Sequence, residues 1–391
     1  MMKHFCLIIS MFVSSFANAQ DMKRYVQNNT SEIKSIDLNN TNDADLEAFG
    51  KAVGDARVVM LGEQDHGDAP TYLAKTRLIK YLHEKKGFNV LAFESDFWSL
   101  NYGWDNLPKN DSAQIVDFLS KNIFGIWTYC EAFSPLMKQY IPSTYKTKTP
   151  LEIAGFDNQM ILGYSDKLAP YLDSVFRKYD LAITHKKDYF NKIIPLIDSL
   201  RKGYNSGFAK NNRDIFSDYL DTIYQQLSNT LPTNSFNILL IQNLRSEFEE
   251  FTNRSDLMYG YYVRDKQMFE NLKWLIKQKY PKDKIMVWAA SQHIAKVKSG
   301  NSIVINKKRV NVRFMGDYFK DDSSLLKETY VLGFISYQGE AGRQTMERYN
   351  ILMPKKNSFE NWISPKYDYS FTDLASFKNK NFLWKVQPTI V

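Results

Sequence analysis

The stretch Val58-Val59-Met60-Leu61-Gly62-Glu63-Gln64-Asp65-His66-Gly67 decides how the chain is read. Four successive apolar residues, two of them β-branched, predict a short buried strand that Gly62 ends. Asp68, with Pro70 two residues on, then opens a helix. Glu63 and His66 therefore occupy a strand-to-helix loop, where an open α/β sheet binds its ligands. The plainer alternative is a capping Asp68 and a surface histidine in an ordinary loop.

Working outward, residues 70–86 predict a helix whose apolar stripe holds Tyr72, Leu78, Ile79 and Leu82. Lys75 falls on that stripe near the helix start, so it either points at the loop or snorkels to water. Residues 89–93 predict a second strand, with Glu94 at its end. The segment 99–148 is aromatic and irregular, with a helix expected over 131–140. A third strand over 151–156 ends at Asp157, with Gln159 two residues on. From 165 to 280 the apolar period becomes helical, over 166–180, 185–202, 208–230, 235–252 and 255–280. This predicts a helical insertion whose last helix carries Arg264-Asp265. A fourth strand over 284–289 precedes His293. The remainder predicts a helix over 312–319 and strands over 330–335 and 345–353. The fold class is α/β: a parallel-sheet core, helices on both faces and a large helical insertion. The core divides into 20–164 and 281–391 around the insertion at 165–280.

The 391 residues suit two or three average domains or one large domain with insertions. Residues 1–19 predict a cleaved secretory signal: a basic start, an apolar run from Phe5 to Val13, then Ala17-Asn18-Ala19. The expected location is the periplasm or the exterior, with no stable membrane insertion after cleavage. Cys130 is then the single remaining cysteine, which excludes an internal disulfide. The net charge of +8 has no nucleic-acid motif beside it, so no nucleic-acid partner is expected.

Glu63, His66, Glu94, Asp157 and His293 each follow a predicted strand. Parallel strands bring all of them to one sheet edge. Of the five histidines in the chain, His66 and His293 are the pair placed at strand ends. A neutral imidazole takes a proton from water near pH 7. Glu63 or Glu94 can fix its tautomer, and His293, Lys75 or Arg264 can steady an oxyanion. No Gly-x-Ser-x-Gly elbow supplies a serine nucleophile. The same groups also suit Zn, Mn or Fe, so a metal-dependent hydrolase stays open at this point.

The ordered set Gly62-Glu63-x-x-His66-Gly67, Phe93-Glu94-Ser95-Asp96, Gly155-Phe156-Asp157-x-Gln159, Arg264-Asp265 and Trp288-Ala289-x-x-x-His293 resembles the erythromycin esterases. Met315-Gly316-x-Tyr318 and Val331-Leu332-Gly333-Phe334 extend the likeness, which covers about residues 45–375. The resemblance implies lactone hydrolysis without a metal cofactor. It implies that the residue at His66 is the general base and that Glu63, Glu94 and His293 complete the acid–base cluster. It also implies a basic residue, commonly Arg, on the following helix; Lys75 stands there, with Arg77 as the fallback, and Arg264 is a further basic partner. The Gly-Glu-x-x-His loop is also similar to a wider group of haem- or iron-binding lipoproteins and metal-dependent TraB/Tiki-type peptidases.

The chain is thus expected to be an exported hydrolase of a small-molecule substrate, an ester or macrolide lactone, with no cofactor, and antibiotic resistance is the associated role. Catalysis is assigned to His66, Glu63, Glu94, His293, Lys75 and Arg264. Substrate contact is assigned to Asp157, Gln159, Trp98 and Trp127, with Trp104 a further apolar wall. A metal-dependent hydrolase and a non-catalytic haem- or ligand-binding protein are the alternatives.

Overall fold

The computed structural model describes residues 20–200 and 211–377, apart from 254, 297, 306, 344–346, 357 and 376. The expected leader at 1–19 lies outside the described residues. A sheet of five parallel strands forms the centre: β1 (Val58–Leu61), β2 (Phe88–Asp96), β3 (Glu152–Asp157), β4 (Lys284–Trp288) and β5 (Thr329–Leu332). Their order is β3-β2-β4-β1-β5. Leu61 pairs with Trp288 and Leu332, and Phe93 with Trp288 and Gly155, so these residues form one row across the sheet. The residues that follow the row emerge together at one edge.

Both faces of the sheet are covered, as expected of parallel strands made of near-continuous apolar runs. Val59, Leu61, Leu91, Phe93, Ile153, Met286 and Trp288 face one core with Tyr72, Ile79 and Leu82. Val58, Met60, Val90, Ala92, Ala154, Ile285 and Val287 face another with Met268, Leu272 and Leu275. The helix after the first loop, α1 (Ala69–Lys86), is capped by Asp68, whose side chain accepts from Thr71 N, and ends at Gly87 in the left-handed region. Lys75 lies on the buried stripe of α1 with no solvent exposure.

Between β3 and β4 the chain forms, among others, the helices α2 (Leu168–Lys178), α3 (Arg213–Ser228), α4 (Phe236–Thr252) and α5 (Leu257–Trp274). They close around a third core of Leu172, Phe176, Ile223, Ile241 and Phe248, which also takes in Phe97 and Trp98 from the end of β2.

Three local expectations are corrected. The span 131–140 is a short 3-10 turn at Glu131–Phe133 followed by a wide π turn at Pro135–Tyr140. Pro135 has no N–H to give, which fits a break there. The span 312–319 is extended up to Arg313 and helical only over Met315–Tyr318. Val310 and Val312 alternate with Asn311 and Arg313, a period of two that belongs to a strand. That strand, Lys308–Arg313, pairs antiparallel with Lys298–Ile305. The span 345–353 contributes only Tyr349–Asn350, paired with Glu340–Ala341.

Candidate active site

The loop after β1 places Glu63 under the sheet edge, with its side chain fully buried. Three donors converge on its carboxylate. His66 Nδ1 lies 2.7 Å from Oε1, Trp127 Nε1 donates to the same oxygen at 2.7 Å, and Lys75 Nζ donates to Oε2 at 2.7 Å. Burial alone would raise the pKa of Glu63, but the charges and hydrogen bonds of Lys75 and His66 bring it below the ordinary value. Lys75 is pulled the other way: burial brings it down to about 8, against the opposing pull of Glu63 and Glu94. Its Nζ also sits 3.8 Å over the Trp288 ring. Tyr72 Oη donates to the His66 carbonyl and pins the loop to α1. The fallback basic residue, Arg77, is used elsewhere, bridging Asp45 and the carbonyl of Asn42.

A second cluster forms beside the first. Arg264, on α5, donates to Asp157 through Nε at 3.1 Å and Nη2 at 2.5 Å, and through Nη2 to Glu94 Oε1 at 3.1 Å. His293 stands between two carboxylates, with Nδ1 2.8 Å from Asp265 Oδ1 and Nε2 3.3 Å from Glu94 Oε1. Burial would lower the His293 value, but Asp265 and Glu94 outweigh it and raise it to about 9. His293 is therefore an imidazolium at neutral pH. Met315 N donates to the same Asp265 oxygen at 2.8 Å.

The backbone at 289–291 joins the clusters. Lys75 Nζ reaches the Ala289 carbonyl at 3.4 Å, Ala290 N donates to Glu94 Oε2 at 2.8 Å, and Ser291 N donates to the Glu63 carbonyl at 2.9 Å. Six predicted residues are thus brought together: Glu63, His66, Lys75, Glu94, His293 and Arg264. Their access to solvent differs. The His66 side chain is 24 % exposed and that of Arg264 14 %, whereas those of Glu63, Lys75, Glu94 and His293 are all at or below 6 %.

The predicted substrate-contact residues fare differently. Trp98 is fully buried and stacks on Tyr102 with ring centres 4.4 Å apart, inside the helical core rather than at the site. Trp104 is also buried and donates to Glu152. Trp127 does reach the site, but as a buried donor to Glu63 and not as an apolar wall. Asp157 has no exposure and holds the Arg264 guanidinium. Gln159 donates to Glu250 Oε1 on α4 at 2.8 Å. His83 is half-buried against Tyr140 Oη at 2.7 Å, away from the site. Asp265 was given no role from the sequence, although it adjoins Arg264; its placement on His293 depends on which way α5 turns. Among the described residues no three His, Cys, Asp or Glu side chains are grouped so as to hold a metal ion.

The erythromycin esterase family model matches residues 83–387. This chain belongs to the erythromycin esterase family. The matched span includes Glu94, Arg264 and His293 and begins after the Glu63–His66 loop. A curated relative, "Putative hydrolase YbfO" of Bacillus subtilis (strain 168), is 25 % identical over 353 residues, covering 85 % of this chain and 77 % of the relative. Three solved structures share the fold. A Bacillus cereus protein superposes with a TM-score of 0.66 at 18 % identity, covering 94 % of this chain and 88 % of that one. A succinoglycan biosynthesis protein gives 0.61 at 19 %, over 88 % and 82 %. A histidine-to-asparagine mutant of erythromycin esterase EreC, in its open conformation, gives 0.59 at 17 %, over 85 % and 86 %. The fold class is therefore erythromycin-esterase-like, and family and relative together make the chain a hydrolase of that type.

Proposed function

We propose that this family member is an exported hydrolase that opens a small ester or lactone with water activated by His66. One observation carries the reading: the most solvent-accessible acid–base group in the cluster is an imidazole whose Nδ1 is held by a buried carboxylate. With Glu63 accepting from Nδ1–H, Nε2 is the nitrogen left to act as base, on a ring that is partly exposed. Nε2 takes a proton from water as the water oxygen bonds to the ester carbonyl carbon. Glu63 balances the imidazolium that forms, and Trp127 and Lys75 keep Glu63 charged and immobile. The imidazolium of His293 and the partly exposed Arg264 supply positive charge for the oxyanion. The proton then passes from His66 to the departing alkoxide as the carbon–oxygen bond breaks. The basic, apolar N-terminal segment supports export.

The test is incubation with a panel of macrolides, simple lactones and aryl esters, read by mass for the gain of one water. The expected result is turnover of at least one compound, reduced about a thousandfold in His66→Ala. Equal turnover by wild type and variant on every hydrolysed compound overturns the assignment of the base.

A further inference from the structure

The antiparallel ribbon formed by Lys298–Ile305 and Lys308–Arg313 is not used by the chemistry above. Residues 296–313 hold six Lys or Arg and no Asp or Glu. Arg313 bonds Asp317 and Asp321, and Lys296 donates to the Thr329 carbonyl. Lys307, Lys308 and Arg309 are exposed at and beside the turn, and no ion pair joins any of them to the described residues. The register sorts the ribbon into two faces. Ile303 pairs with Val310, and Ile303 and Val312 are buried inward. Val304 pairs with Arg309 on the opposite face, where Val304 is 72 % exposed and Arg309 Nε donates to Ser302 Oγ at 2.6 Å.

We propose that this outer face, together with the exposed tip that carries Lys307 and Lys308, docks the protein on an anionic phospholipid surface. Basic side chains next to an exposed apolar residue match the headgroup and acyl layers of such a surface. Lysines do protect exposed strand edges from pairing, but protection gives no reason to turn Val304 towards water. A single-stranded nucleic acid is a poorer fit, because residues 298–313 contain no aromatic ring for bases to stack on. Phe314, directly after the ribbon, packs edge-on to Tyr261 and His293 at 5.8 and 6.4 Å between ring centres. Docking therefore holds the acid–base cluster close to the lipid.

The test is flotation of the whole chain with vesicles of phosphatidylcholine carrying one-third phosphatidylglycerol, against pure phosphatidylcholine, with heparin resin and gel filtration in parallel. Binding is expected to the anionic vesicles alone. It should fall about 100-fold in the triple variant Lys307→Glu/Lys308→Glu/Arg309→Glu, taking about fivefold for each basic side chain. It should fall several-fold in Val304→Ser. Lys307→Gln, expected to lose about fivefold, keeps the test decisive should the triple variant not fold. The proposal is overturned by wild-type protein that does not float or by variants that bind like wild type. Retention on heparin with Val304→Ser unaffected overturns it in favour of a soluble polyanion. A dimer lost in Val304→Ser, with no vesicle binding, overturns it in favour of a second copy of the chain. None of these readouts depends on ester turnover.

Discussion

Trp127 and His66 share one oxygen: the indole Nε1–H and the imidazole Nδ1 both lie 2.7 Å from Glu63 Oε1, with the rings edge-on and 5.9 Å apart. The tryptophan therefore fixes the carboxylate that fixes the histidine. Trp127→Phe keeps the ring and removes the donor. A hydrogen bond to a charged group contributes about 1.5–3 kcal/mol, so activity should fall roughly ten- to a hundredfold. Steady-state kinetics on whichever ester is turned over checks this; an unchanged kcat makes Trp127 plain packing.

Among the described residues, Lys75 is the one basic group on Glu63 apart from the histidine. Lys75→Met removes one partner of a buried pair and should lower stability by about 3–5 kcal/mol. It should also leave Glu63 easier to protonate, so the activity remaining should be lost at a higher pH on the acid side than in wild type. Urea titration and a pH–rate profile separate the two effects.

His293 binds its proton more tightly in the folded chain, at about 9, than in the unfolded one. Its contribution to stability is complete below the unfolded value near 6.5 and is lost as pH rises through about 9. Between pH 6.5 and 8 wild type should lose on the order of 1–2 kcal/mol relative to His293→Asn. Parallel denaturation curves across this window would mean that Asp265 and Glu94 do not hold an imidazolium.

Gly67 passes close to the backbone of Gly342, where an added Cβ would lie 2.6 Å from the Gly342 carbonyl oxygen. The contact is backbone and cannot rotate away. Gly67→Ala should push the segment near Gly342 off the His66 loop and reduce activity more than it reduces Tm, while Gly87→Ala, with open space around it, should affect Tm alone.

Trp98→Ala tests the correction at the aromatic segment. It should cost about 3–5 kcal/mol of stability while leaving kcat at low temperature within about twofold. A selective rise in KM would return Trp98 to the substrate surface.

The sheet was legible because the parallel strands are short apolar runs, with Glu63, Glu94, Asp157 and His293 at or soon after the ends of four of them, and the row through Leu61, Trp288 and Phe93 turns those ends into one edge. Lys75 was legible as a charge on an apolar stripe, which a buried partner must balance. Other features have no such mark. Asp265 follows Arg264 like any second residue of an acidic–basic pair, and only the turn of α5 sends one side chain to Asp157 and the other to His293. Trp98 and Trp127 look alike in an aromatic stretch, and their difference lies in whether the indole N–H finds Glu63 or the Tyr164 carbonyl. The ribbon at 298–313 escaped notice because its first strand mixes Ser, Gly and Asn with its apolar residues. The pairing of Thr30–Ile33 with Tyr369–Thr372 joins distant parts of the chain, and neither segment carries a sign of the other.

Arg264 and Asp265 are neighbours on one helix, yet each reaches a different charged partner at the sheet edge. The helices of the insertion are thus riveted to the reaction centre by a dipeptide. A slip of a single residue in α5 would replace the anion beside His293 by a cation and silence the enzyme.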